Sequence, residues 1–126
     1  MQALVDAVFA GTWNLAESDL LTSSLSSSGH VIKIANCPVH WVSAIQSKVA
    51  LSATEAACIP LSQSTRDLMP IRQMIEFCDT FIKIDSKTII TYSTVFEENN
   101  EALQLVLEPK HRPCTKHTCV KYHHFR

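Results

Sequence analysis

Apolar residues along the chain fall into short runs broken by polar turns, and the runs lay out an order of elements. Leu4-Val5-Asp6-Ala7-Val8-Phe9 is apolar apart from one acid and predicts a short buried strand. The Ser-rich stretch from Thr12 to Gly29, with Ser23-Ser24 and Ser26-Ser27-Ser28, predicts a surface loop ending on a turn glycine. Val31 to Ala35 and Val39 to Ser43 are β-branched or aromatic and predict a hairpin around Asn36-Cys37-Pro38. Ser52 or Thr54 can cap a helix running towards Cys78, with Leu68, Ile71, Ile75 and Cys78 spaced for one apolar face. Pro60 and Pro70 are expected to interrupt that helix. Ile89 to Glu97 predicts a further strand, Asn99 to Leu107 a short helix, and Thr115 to Arg126 a basic helix capped by its threonine. Three strands, then helix, strand and helix, is an α/β order with a mixed sheet, because the later strand needs a helical crossover to return.

Composition narrows the class. A chain of 126 residues fits one domain, residues 1–126, and 46% hydrophobic with 18% charged residues is the balance of a globular fold. Two glycines are too few for a Gly-rich phosphate loop, which excludes dinucleotide and nucleoside-triphosphate cofactors bound that way. No apolar run reaches the roughly 20 residues of a membrane span, and the start lacks a basic-then-apolar leader, so the expectation is a soluble intracellular protein of cytoplasm or nucleus. Five cysteines at irregular spacing (Cys37, Cys58, Cys78, Cys114, Cys119) read as thiols rather than a disulfide framework. The net charge of −1 is unevenly distributed. From Pro109 onward five Lys or Arg and no acid give +5, while the remainder sets six Lys or Arg against twelve acids, a balance of −6. The basic tail, 109–126, suits phosphates and the rest does not.

The most specific motif is Cys37-Pro38-Val39-His40-Trp41-Val42-Ser43 followed by Ala50-Leu51-Ser52-Ala53-Thr54-Glu55-Ala56. It resembles a P-I/V-x-W-x-S strand, a polar turn, and A-L-S-S/T-T-E-A-E-Y opening a helix, the pattern of the ribonuclease H domain of copia-type retrotransposon polyproteins. Val5-Asp6-Ala7-Val8-Phe9-Ala10-Gly11 resembles that family's first strand, V-D-A-D-F/W-A-G, and Phe96-Glu97-Glu98-Asn99-Asn100-Glu101-Ala102-Leu103 its Y/F-E-D-N-x-G/A-A-L segment. Arg112-Pro113-Cys114-Thr115-Lys116-His117, continuing through Lys121-Tyr122-His123-His124-Phe125-Arg126, is similar to R-x-x-T-K-H followed by K/R-Y-H-F/H-I/F-R. The resemblance spans nearly the whole chain in order, with weak stretches at Glu17 to Ser28 and Asp79 to Thr94. It implies a ribonuclease H-like fold, a mixed five-stranded sheet flanked by helices, here incomplete because the final strand and C-terminal helix would follow Arg126.

The implied chemistry is hydrolysis of RNA in RNA–DNA hybrids by two Mg²⁺ ions about 3.5–4 Å apart, held by hard oxygen ligands. The family's four carboxylates map onto Asp6, Glu55 and Glu98, with the fourth beyond the chain's last residue. An acid within an apolar strand, such as Asp6, is costly to bury without a partner. Glu55 has a simpler alternative role as a favourable charge in a helix's first turn. Glu98 stands where the family has Asp, and the extra methylene moves the carboxylate by about 1.5 Å in a site that tolerates roughly 0.5 Å. Val8 replaces the first motif's second acid, and Ala57-Cys58 the Glu-Tyr pair of the helix motif. Pro60 inside a helix costs about 3 kcal/mol or more, a large fraction of the roughly 5–15 kcal/mol that holds a domain together. The resemblance therefore implies a remnant with weak or no nuclease activity, whose ancestral partner is the reverse transcriptase of the same polyprotein.

Two other readings stand beside it: a non-catalytic nucleic-acid-binding module, and the product of a decayed reading frame. In the first, Lys116, His117, Lys121 and Arg126 of the tail helix contact a hybrid backbone, a salt-dependent and sequence-blind mode, or form only a solvated basic face. Cys114, His117, Cys119 and His123 could be drawn as a zinc site, but the spacing lacks turn-separated ligand pairs. Trp41 in a strand is read as core.

Overall fold

The computed structural model describes residues 1–11, 13–82 and 92–107. Four strands, β1 (Gln2–Val8), β2 (Ser27–Ile34), β3 (Cys37–Ile45) and β4 (Thr94–Glu97), form one mixed sheet in the order β3-β2-β1-β4. Strand β1 runs antiparallel to β2 and parallel to β4. The helix α1 (Ala53–Ile82) makes the crossover, and α2 (Asn100–Leu107) follows β4. The α/β class and mixed sheet agree with the order of elements in the sequence. The basic tail 109–126, its helix from Thr115, and the start of the strand expected from Ile89 lie outside the described residues.

The β2–β3 hairpin turns on Ala35 and Asn36, both with positive φ (48° and 67°). That pair of left-handed residues makes the mirror-image turn whose twist matches antiparallel strands. The turn therefore precedes Cys37 and Pro38, which belong to β3 rather than to the expected Asn36-Cys37-Pro38 loop. Pro38 is tolerated because β3 is an edge strand, and the pairing skips Val39 between Lys33↔Pro38 and Ile32↔His40, a bulge beside the proline.

The Ser-rich segment departs from the expected surface loop. Ser27 to Gly29 are part of β2, and Ser26 is fully buried, its Oγ accepting from the Ala10 amide at 3.1 Å. Two single 3₁₀ turns, Leu15–Glu17 and Leu21–Ser24, carry the rest.

Helix α1 is continuous over 30 residues and passes through both prolines, against the expected interruption. Ser52 caps it, its Oγ accepting from the Glu55 amide at 3.1 Å. Its buried face is Ala56, Ala57, Cys58, Pro60, Leu61, Ser64 and Leu68, packed over β1 and β2. The apolar stripe read from sequence holds at Leu68 and Ile71, which join Ala3 and Ile32, and fails at Cys78, which is exposed. A second cluster joins Ala57 and Cys58 to Ala102 of α2, whose Asn99 cap accepts from the Ala102 amide at 3.0 Å. Trp41, expected in the core, is 68% exposed on the sheet face away from α1. Its register partner Val31 lies out of phase with Ile32, the β2 residue that packs under the helix.

Candidate functional site

Alternation along β1 sends Ala3 and Val5 towards α1 and Leu4, Asp6 and Val8 to the opposite face. The parallel register ends at Val5↔Glu97, so Asp6 and Glu98 are the next residue on each chain beyond the last pair, where β4 runs out. Both line a groove of about 860 Å³, walled by Leu4, Trp41, Phe96 and Leu103 among others. Asp6 Oδ1 accepts from the Ala7 amide at 2.7 Å.

Glu97, which the motif comparison passed over, is half-buried beside this pair. Its Oε1 accepts from the Asn99 amide at 3.1 Å, while Oε2 has no hydrogen-bond partner among the described residues. Burial pushes its pKa above the ordinary 4.5; the Asn99 amide opposes that rise, and the charge of Asp6 adds to it. Two acids in sequence, Glu97-Glu98, were the available signal, and parallel pairing with β1 is what makes them differ.

Glu55 sits elsewhere, in the first turn of α1, 5% exposed, with Oε2 accepting from the Leu51 amide at 3.1 Å. Ser52 and Glu55 together serve two amides at the helix start, close to a capping box. Asp6, Glu55 and Glu98 do not bring three ligating atoms to within 4.8 Å of one another. Lys116, His117, Lys121 and Arg126 lie outside the described residues, as do Cys114, Cys119 and His123.

One set of three does converge that closely among the described residues: His30 of β2, His40 of β3 and Asp67 of α1. In the hairpin register His30 pairs with Val42 and His40 with Ile32, so the two imidazoles are diagonal neighbours on the face that α1 covers. Their ring centroids are 5.5 Å apart. Asp67 Oδ2 lies 3.0 Å from His30 Nε2 and 3.5 Å from His40 Nε2. Despite these distances, neither nitrogen has a hydrogen-bond partner of acceptable geometry among the described residues. The His30 side chain is 1% exposed, against 34% for Asp67 and 39% for His40. Burial lowers the pKa of His30 below its ordinary 6.5; Asp67 opposes this and the neighbouring His40 adds to it. Nothing in local spacing marks this group, because its members meet only across a hairpin and a crossover helix.

No helix among the described residues is long and apolar enough to cross a membrane. No family model, curated protein or solved structure matches this chain.

Proposed function

We propose that this chain is a ribonuclease H-like domain of the copia retrotransposon type in which hydrolysis of RNA in RNA–DNA hybrids is weak or lost. The observation that carries this reading is that Asp6 of β1 and Glu98, the residue that follows parallel β4, line one groove, residues that the motifs in the sequence single out independently. The strand order β3-β2-β1-β4, with a helical crossover before β4, supports the same reading. Its partners would be an RNA–DNA hybrid and the reverse transcriptase domain of the same polyprotein, and its ion Mg²⁺.

Weak activity follows from the ligands. Two-metal hydrolysis needs carboxylates shared between two ions about 3.5–4 Å apart. Asp6 and Glu98 provide one pair, enough to hold a single Mg²⁺ that keeps most of its waters. Glu55 instead serves the Leu51 amide at the start of α1. Incubation with a labelled hybrid and Mg²⁺ is expected to give cleavage near background, with Asp6→Asn no different. Robust cleavage abolished by Asp6→Asn would show the nuclease intact. Nuclear magnetic resonance with Mg²⁺ should shift signals of both Asp6 and Glu98, and no shift at either sinks the reading.

The +5 balance of residues 109–126 favours a second reading, binding of nucleic acid without catalysis. A salt-sensitive gel shift that disappears on deleting those residues supports it; no shift at low salt excludes it.

A further inference from the structure

We propose that His30, His40 and Asp67 form a binding site for a divalent transition-metal ion, zinc foremost, which clasps α1 to the β2–β3 hairpin. This site is on the α1 side of the sheet, opposite the Asp6–Glu98 groove, and does not rest on the proposed ancestry.

The geometry fits a metal better than it fits a chain of hydrogen bonds. In a tetrahedral zinc site, with metal–nitrogen and metal–oxygen bonds near 2.0–2.2 Å, neighbouring ligand atoms stand about 3.3 Å apart. The two nitrogen-to-oxygen separations here are 3.0 and 3.5 Å, and all three ligating atoms lie within 4.8 Å of one another. Nε2 of both imidazoles lies within 3.5 Å of the same carboxylate oxygen, yet neither meets hydrogen-bond geometry there. A buried ring nitrogen left in that state destabilises the fold. A cation between the three atoms would take the lone pairs that now have no use.

Ligand chemistry selects the ion. Two imidazoles and one carboxylate suit zinc, iron, nickel or copper, and poorly suit Mg²⁺ or Ca²⁺, which prefer oxygen. Three protein ligands leave a fourth position for water, and the partial exposure of His40 and Asp67 opens the site on one side while His30 closes it on the other. Because β2, β3 and α1 each supply one ligand, the ion would bind the folded chain and not the unfolded one, and so would stabilise it.

The test uses the full chain, stripped with chelator and titrated with Co²⁺ as a spectroscopic stand-in for Zn²⁺, followed by thermal melts with and without Zn²⁺. One equivalent of Co²⁺ is expected to give visible ligand-field bands without thiolate charge transfer in the near ultraviolet, and Zn²⁺ to raise Tm. His40→Ala and Asp67→Asn, both at partly exposed positions, should each weaken binding by at least about tenfold with the circular dichroism unchanged. The double variant Cys114→Ser/Cys119→Ser should bind as the parent does. Three outcomes overturn the site: no uptake of either ion, affinity unchanged in His40→Ala or in Asp67→Asn, or cobalt bands that depend on the tail cysteines.

Discussion

The side-chain amide of Gln46 donates at 2.9 Å to the carbonyl oxygen of Ala56, the acceptor that Pro60, having no N–H, leaves without its helical donor. The second amide hydrogen goes to Ser28 Oγ at 2.6 Å, so one buried glutamine ties the end of β3 to β2 and to α1. This explains how α1 continues through a fully buried proline. Pro70 needs no such help, because it and Arg66, whose carbonyl it would leave bare, are both exposed to water. Gln46→Leu is expected to cost about 1–3 kcal/mol. In a Pro60→Ala background the restored N–H serves Ala56, and the cost of Gln46→Leu should fall. Urea melts of the four chains measure the coupling, and strictly additive effects would refute it.

Glu55 is expected to act through its capping hydrogen bond. Glu55→Gln keeps an acceptor for the Leu51 amide and should change stability by less than about 0.5 kcal/mol, whereas Glu55→Ala should lose about 1 kcal/mol. Equal losses for both, measured by denaturant melts, would point instead to a requirement for the charge.

Two groups give stability opposite pH dependences. The His30 pKa is lowered in the folded chain, so the unfolded chain takes up its proton first. Its contribution is complete above 6.5 and declines as pH falls below that value. The Glu97 pKa is raised, so its contribution is complete below 4.5 and is lost as pH rises through the folded value. Glu97→Gln, which cannot ionise, should therefore be more stable than the parent at neutral pH, with the gain shrinking towards pH 4.5. A gain that grows on acidification would show the assignment to be wrong.

Ala35 holds a left-handed conformation that L-residues with a Cβ enter at a cost of roughly 1–2 kcal/mol. Ala35→Asn, a residue that tolerates this region, is expected to raise stability by about 0.5–1 kcal/mol. An unchanged or lowered Tm would count against the turn geometry.

The hairpin, the start of α1 and the order of the strands and helices along the chain were legible because each rests on local chemistry: β-branched runs, a cap at Ser52 or Thr54, and apolar runs broken by polar turns. What stayed hidden depended on partners distant in sequence. Pro60 reads as a helix breaker until Gln46 is known to reach Ala56. Trp41 reads as core because a β-strand's two faces look alike until the helix chooses one. His30, His40 and Asp67 carry no spacing signature, since a hairpin diagonal and a helix turn bring them together.

The Met1 ammonium donates to the Tyr92 carbonyl at 2.8 Å across 91 positions, and the Thr94 amide returns a bond to the Met1 carbonyl. Closing so long a loop costs entropy before any contact repays it, while the β2–β3 hairpin and α1 form from neighbours in sequence. The folding order that follows has β1 settle first on β2 and under α1, with the four-residue β4 docking last. Since β4 and the residue after it bring Glu97 and Glu98 to the groove that Asp6 lines, that acidic groove would be the last feature of the domain to assemble and the first to come apart.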